Sequence, residues 1–173
     1  VVSVGDSTIT TFSVSPGDEN ILIIGYVNGL VICYDISMQK VTNSTHGPVA
    51  RSTVMLCTPH DPDICVIIDN RSNVLNRVVS WTYRNSNVNT NAINNHKVLE
   101  FRESTQIKVA RWHPHVHSYL ALGCNTGEVY LFNYSMSTKK IFCKSDGNQH
   151  SVVDIQWDRL SSVYLLVAYS NSV

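Results

Sequence analysis

An excess of charge of either sign is the first thing this sequence lacks. Thirteen Lys and Arg residues are matched by thirteen Asp and Glu residues in 173 positions. A basic excess is what neutralises phosphate backbones, so nucleic acid is a disfavoured partner. Long apolar runs are missing as well. None approaches the roughly 20 residues of a membrane-spanning helix, so no membrane partner is expected. Phosphate-cradling loops are also absent: there is no G-x-x-x-x-G-K-[ST] and no G-x-G-x-x-G. Neither G-x-S-x-G nor a Cys/His pair with a local signature occurs, so no catalytic residue and no cofactor are assigned. Hydrophobic residues nonetheless make up 43% of the chain, enough for a substantial core.

Cysteine is sparse and unpatterned. Cys33, Cys57, Cys65, Cys124 and Cys143 are odd in number and never form C-x-x-C. Most sit in apolar runs, beside Ile32, Ile64, Val66 or Phe142, where a thiol behaves as a small buried hydrophobe. That pattern fits neither a disulfide framework nor a zinc site, and a reducing, cytoplasmic compartment is expected. The glycosylation sequons at Asn43, Asn70 and Asn133 then read as chance matches.

What the sequence has in quantity is short strands. Ile21-Leu22-Ile23-Ile24 and Tyr119-Leu120-Ala121-Leu122 are apolar runs ended by glycine, too short for helices. Asn28-Gly29 and Thr126-Gly127 supply tight turns. Leu30-Val31-Ile32-Cys33-Tyr34 and Val129-Tyr130-Leu131-Phe132 return as second strands. No apolar period of 3.6 residues is sustained over three turns. The chain is expected to be all-β.

The strands repeat. Pro16 to Gly25 spans nine residues, as does Pro114 to Gly123; Gly25 to Gly29 spans four, as does Gly123 to Gly127. A weaker copy holds Cys57-Thr58-Pro59, Ile64 to Ile68, a turn near Asn73, and Val78-Val79-Ser80-Trp81-Thr82. A fourth begins at Val152 and reaches Tyr164 to Tyr169. Val14, Cys57, Trp112 and Trp157 are equivalent in this register, at intervals of 43, 55 and 45 residues. The long interval is explained by an asparagine-rich insertion, Asn85 to Asn95, which predicts a solvated loop outside the core. Equivalence predicts that Val14, Cys57, Trp112 and Trp157 occupy matching core sites on the inner face.

Repeats of roughly 40–45 residues with four strands each are the mark of WD-repeat propeller blades. Ser15-Pro16, Asn28-Gly29 and Tyr34-Asp35 resemble that family's pattern, as do His113-Pro114, Thr126-Gly127 and Phe132-Asn133. The resemblance implies a partial WD40-type β-propeller over residues 1–173. Its blades would cover approximately 8–48, 49–100, 101–146 and a truncated 147–173. Val1 opens inside a strand-like run without an initiating Met, and Val173 falls within a turn. Both ends are therefore expected to be cuts, leaving about half of a seven-bladed ring. Departures from the family are visible too. The usual turn Asp is replaced by Asn28 and Thr126, the dipeptide survives as Tyr34-Asp35, Trp81-Thr82 and Phe132-Asn133, and His46 and His150 stand at irregular offsets. Apolar packing is expected to hold the blades, with an incomplete polar network.

Three groups could carry chemistry. His113-Pro114-His115-Val116-His117 would align imidazoles on one face of a strand, as a metal site needs. Pro114 is the repeat's turn proline, however, so His115 and His117 are expected in a bent, solvated loop, and no metal ligand is assigned. Asp61, Asp63 and Asp69 could cluster, but Asp61-Pro62-Asp63 fits a turn between strands. Arg71, Arg77, Arg84, Lys108 and Arg111 read as separate, solvated cations. The resemblance then implies a non-catalytic scaffold whose rims dock proteins or peptides, with the remainder of its own chain closing the ring. The alternative is a propeller that binds RNA or DNA through a basic rim, separable by whether heparin retention is lost at moderate salt.

Overall fold

The computed structural model describes residues 7–46, 52–57, 61, 63–69, 76–83, 99–101, 105–136, 138–143, 150–161 and 163–170. For 45–46, 52–57, 69, 76–80, 82 and 99–101 the description covers the backbone only. The Asn85 to Asn95 insertion lies outside these residues. Every regular element among the described residues is a strand, and none is a helix that could cross a membrane.

Four sheets follow one another along the chain. The first contains β1 (Ile9–Ser15), β2 (Asp18–Tyr26), β3 (Leu30–Asp35) and β4 (Lys40–His46) in that spatial order. The second orders β5 (Ser52–Cys57), β6 (Ile64–Asp69), β7 (Asn76–Thr82) and β8 (Leu99–Phe101). The third contains β9 (Ile107–Trp112), β10 (Tyr119–Cys124), β11 (Val129–Asn133) and β12 (Thr138–Cys143). The last pairs β13 (Val152–Trp157) with β14 (Leu165–Tyr169). By compactness the chain divides into two units, Val1–Arg71 with Val78–His96, and Ser72–Arg77 with Lys97–Val173.

The repeat is kept in the backbone to the level of single residues. Val14 pairs with Leu22, Cys57 with Cys65, Trp112 with Leu120 and Trp157 with Leu165, each partner standing eight positions on. Every one of these hairpins also carries a register shift at its far end, beside Ile9, Ser52, Ile107 and Val152. The amides of Ile36, Tyr83 and Tyr134 donate to the carbonyls of Asn20, Asp63 and Ser118 respectively, which aligns Asp35, Thr82 and Asn133. Tight turns match too. Gly29 and Gly127 sit at φ 85° and 80°, and their amides bond Tyr26 O and Cys124 O at 3.0 and 3.1 Å. A left-handed residue closing a hairpin loop is the conformation glycine takes without strain.

Side chains show how the sheets stack. In the first unit Ile21, Ile23, Val31 and Cys33 of the first sheet meet Cys65, Ile67, Trp81 and Tyr83 of the second. In the other unit Val109, Ala121 and Val129 meet Val152, Ile155 and Trp157, with Leu131, Leu165 and Val167 alongside. The repeat register makes these two junctions the same. Ala121 is equivalent to Ile23, and Leu165 to Cys65. One face of each sheet is applied to the opposite face of the next, and apolar burial holds the junction.

Equivalent position does not mean equivalent burial. Trp157 is buried and Trp112 is half-buried, but Val14 is 46% exposed, and the side chain of Cys57 lies outside the described residues. The expectation of four matching core sites is corrected at Val14. It lies on the face of the first sheet that no described sheet of its unit covers, together with Phe12.

Candidate functional site

The loops that join β9 to β10, β11 to β12 and β13 to β14 all leave from one end of their sheets. That end is built around His113. Its imidazole is buried, and Nδ1 accepts the amides of His115 and Val116 at 3.1 and 2.9 Å. The ring packs on Trp157 with centroids 4.6 Å apart. Trp157 Nε1 in turn donates to Arg111 O at 3.3 Å. The histidine therefore shapes its own loop, and His115 and His117 project as exposed residues. No group of three metal-ligating side chains exists among the described residues.

Asp158 shapes the next loop. Its carboxylate accepts the amides of Leu160 and Ser161 at 3.0 and 3.3 Å and takes a short hydrogen bond from the Ser161 hydroxyl. That hydroxyl, followed by the Leu160 amide, holds the Asp158 carboxyl below its ordinary pKa. With the aspartate turned inward, Leu160 stands 96% exposed, Val163 73% and Tyr164 70%. His115 Nε2 lies 3.4 Å from Arg159 O, which brings the two loops together.

The equivalent turns after β3 in the first unit and after β11 in the second use one device. Asp35 Oδ1 accepts the Met38 amide at 2.8 Å and the Ser37 hydroxyl at 2.6 Å; Asn133 Oδ1 accepts the Met136 amide at 3.0 Å. The Ser37 hydroxyl and the Met38 amide lower the Asp35 pKa. The methionines are pushed outward, Met136 to 73% exposure. At the opposite end of the second unit, the described loop residues Asn125, Thr126, Gly127, His150, Ser151 and Ser170 include no exposed large hydrophobe. Among the described loop residues of that unit, the exposed large hydrophobes lie at one end, while on the strands Phe142 stands 54% exposed toward the other.

Other sequence-selected residues have structural duties. Asp61 Oδ1 accepts the Asp63 amide at 3.0 Å, the turn that was expected; the side chain of Asp69 lies outside the described residues. Arg111 is exposed as expected but is not a separate cation. It pairs with Asp154 at 2.9 Å and ties β9 to β13, while Lys108 bonds Gln106 at 3.1 Å. Arg71 and Arg84, and the side chain of Arg77, lie outside the described residues. Asn43 Nδ2 donates to Tyr83 O at 3.0 Å, which employs one sequon amide inside the fold. Buried Tyr83 donates its hydroxyl to Ser15 at 2.9 Å, a polar link between the first two sheets. Burial, followed by the Glu128 charge, pushes the Cys124 thiol up to about 12, which makes it a poor nucleophile.

A chain in the crystal structure of the mitotic checkpoint complex, a WD40 propeller, is similar over 95% of the present chain and 45% of its own, at a TM-score of 0.74 and 21% identity. The fold is a WD40-type β-propeller, in part. The chain spans less than half the length of that neighbour. Altogether 748 solved chains match, so the likeness carries architecture and selects no single task. No family model matches the sequence. No curated protein matches it either.

The organisation of this surface was only partly legible in the sequence. His113 and Pro114 were visible as repeat positions, but the turning-in of Asp158 was not. The one available signal was local: an aspartate followed two and three residues on by Leu160 and Ser161, the spacing of a carboxylate-capped turn.

Proposed function

We propose that the chain is a non-catalytic platform that docks proteins or peptides on the loop ends of its blades. One observation carries the reading: Met136, Leu160, Val163 and Tyr164 stand in water at a single end of the second unit's sheets. Large apolar side chains gathered in this way mark interaction sites on soluble proteins. The structural neighbour belongs to a protein complex, which agrees with the reading.

Three finer points belong to the same proposal. Residues 1–173 form part of one propeller, and further blades of a longer chain cover Phe12 and Val14 on the first sheet and Leu166 on β14. The chain works in a reducing, cytoplasmic compartment, a reading supported by cysteines that are scattered through apolar runs and never form C-x-x-C. Val153-Asp154-Ile155-Gln156-Trp157-Asp158, Leu160-Ser161 and Tyr164 to Val167 look like a blade of WD repeat-containing protein 17, as does Leu30-Val31-Ile32 followed by Gln39-Lys40-Val41. That is a resemblance in wording of the sequence, and it adds only the expectation of a scaffold.

The test is a purified one-to-one complex. The full chain is used to capture proteins, each captured protein is purified, and the pair is sedimented together. A stoichiometric complex that dissociates when Leu160 and Tyr164 are replaced by serine is the expected result. Absence of any such complex, with heparin retention that survives moderate salt, overturns the reading in favour of a nucleic-acid partner.

A further inference from the structure

We propose that the loop between β9 and β10 is a latch released by acid: it stays closed only while the His113 imidazole is neutral, and protonation of that ring frees it. The inference concerns the loop itself and holds whatever partner the surface takes.

The repeat sets His113 and Asp158 at one position, each directly after its tryptophan. Their amides make the same backbone bond, His113 N to Tyr119 O and Asp158 N to Tyr164 O, both at 2.9 Å. Each side chain then accepts the amides two and three residues on. Nδ1 of His113 takes those of His115 and Val116, and the Asp158 carboxylate takes those of Leu160 and Ser161. One turn is therefore built twice, once on a ring nitrogen and once on a carboxylate. Acid separates the two. The Ser161 hydroxyl, followed by the Leu160 amide, holds the Asp158 carboxyl below its ordinary 3.8, so this acceptor stays ionised in mild acid.

The imidazole has no such reserve. A neutral ring offers one acceptor, its unprotonated nitrogen. With two amides on Nδ1, that nitrogen is bare and the ring proton is on Nε2. An imidazolium donates from both nitrogens and accepts at neither, so turning the ring does not repair the loss. Protonation sets N–H against N–H and takes the acceptor from both amides, at a residue only 6% exposed.

The groups around the ring do not change this. His115 and Tyr119 meet it with centroids 6.5 Å away, and the ring lies on the uncharged Trp157. The strands β9 and β13 bring the Arg111–Asp154 pair, with Lys108 toward the far end of β9. Asp158 and Arg159 follow Trp157, and His117 belongs to the same loop as His113. A charge on His115 adds repulsion, and the Asp158 charge favours the imidazolium. Neither gives the two amides an acceptor. Release of the loop also slackens the contact of His115 Nε2 with Arg159 O, at 3.4 Å, which joins it to its neighbour.

The closed loop binds one proton fewer than the open one, so its stability falls as pH falls. Nuclear magnetic resonance of the full chain tests this from about pH 8 to about pH 5, the span in which histidines change charge. Two quantities are followed: exchange of single amides with water, corrected for intrinsic rate, and the shifts of the His113 ring nitrogens. Protection at His115 and Val116 is expected to fall by up to about tenfold per pH unit, the limit for an opening coupled to one proton. Protection at Leu160 and Ser161 should hold. His113→Asn keeps an acceptor that does not titrate, as Asn133 does for the Met136 amide. In that variant the His115 and Val116 amides should lose their pH dependence. His115→Gln removes the neighbouring titration and should leave the dependence in place. Should His113→Asn fail to fold, the parent's ring nitrogens decide, because they must gain their proton in step with the opening. Flat protection in the parent overturns the inference. So does joint loss at Leu160 and Ser161, a dependence that survives His113→Asn or disappears with His115→Gln, or a ring that gains its proton while both amides stay protected.

Discussion

The His113 imidazole lies on the Trp157 indole at 4.6 Å between centroids, and its Nδ1 simultaneously holds the amides of His115 and Val116. One side chain therefore joins the packing of β13 on β9 to the shape of an exposed loop. Replacement by alanine removes two hydrogen bonds and a buried ring contact. His113→Ala is expected to cost about 2–4 kcal/mol. Urea unfolding followed by circular dichroism measures this, and a cost within experimental error would show that the loop keeps its shape without the ring.

Trp112 and Trp157 are repeat equivalents with different polar fates. Trp157 Nε1 has an acceptor, Arg111 O at 3.3 Å, whereas Trp112 Nε1 is buried and finds none among the described residues. Phenylalanine at position 112 removes an unsatisfied donor, so Trp112→Phe should be neutral or stabilising. Trp157→Phe should cost about 1 kcal/mol, because it removes the indole hydrogen bond to the Arg111 carbonyl. Paired chemical denaturation of the two variants gives the comparison, and equal losses would contradict it.

At Gly123 the backbone of β10 lies close against β13. A Cβ there would stand 2.5 Å from Val152 Cγ1 and 2.8 Å from both Ile155 Cδ1 and Val109 Cγ1. All three neighbours are buried β-branched side chains with little freedom to move. Gly123→Ala should destabilise by about 1–3 kcal/mol through overpacking. Val152→Ala in the same chain should recover part of the loss, which a double-mutant cycle reads as coupling.

Asp35 ties part of the fold's stability to pH. The Ser37 hydroxyl, followed by the Met38 amide, lowers its pKa below the ordinary 3.8. A carboxyl with a lowered folded pKa contributes stability that is complete above the unfolded value and disappears as pH falls through the folded one. The contribution should therefore be intact at neutral pH and decline as pH falls below about 3.8. Asparagine performs the same capping at Asn133, so Asp35→Asn should fold normally and lose only this acid-sensitive part. Melting temperatures between pH 2 and 6 would reveal it, and parallel curves for parent and variant would count against it.

The sheets were legible because their signals are short-range. Glycine at positions 29 and 127 announces a left-handed turn, and the runs that flank it have the length of strands. Register followed from counting, and the pairing of Trp112 with Leu120 and Trp157 with Leu165 matches that count. Burial was not legible in the same way. Val14 and Trp157 occupy one repeat position, but their environments depend on which sheet lies opposite, a long-range fact. The surface at Leu160 was hidden for a related reason. A leucine in a loop reads as a candidate for the core until the inward turn of Asp158 shows that the neighbouring aspartate is engaged and the leucine is not.

Both described junctions place one face of a sheet against the opposite face of its successor, so each blade has a leading and a trailing side. Such an arrangement grows like a stack of nested cups. A duplicated blade fits between any two others without a new surface for either neighbour. Each copy is then free to drift, provided its eight-residue hairpin spacing and its crowded inner positions persist. Tyr34-Asp35, Trp81-Thr82 and Phe132-Asn133 are what such drift leaves behind: three spellings of one position. They explain how a chain can keep this architecture after its wording has moved away from every family pattern.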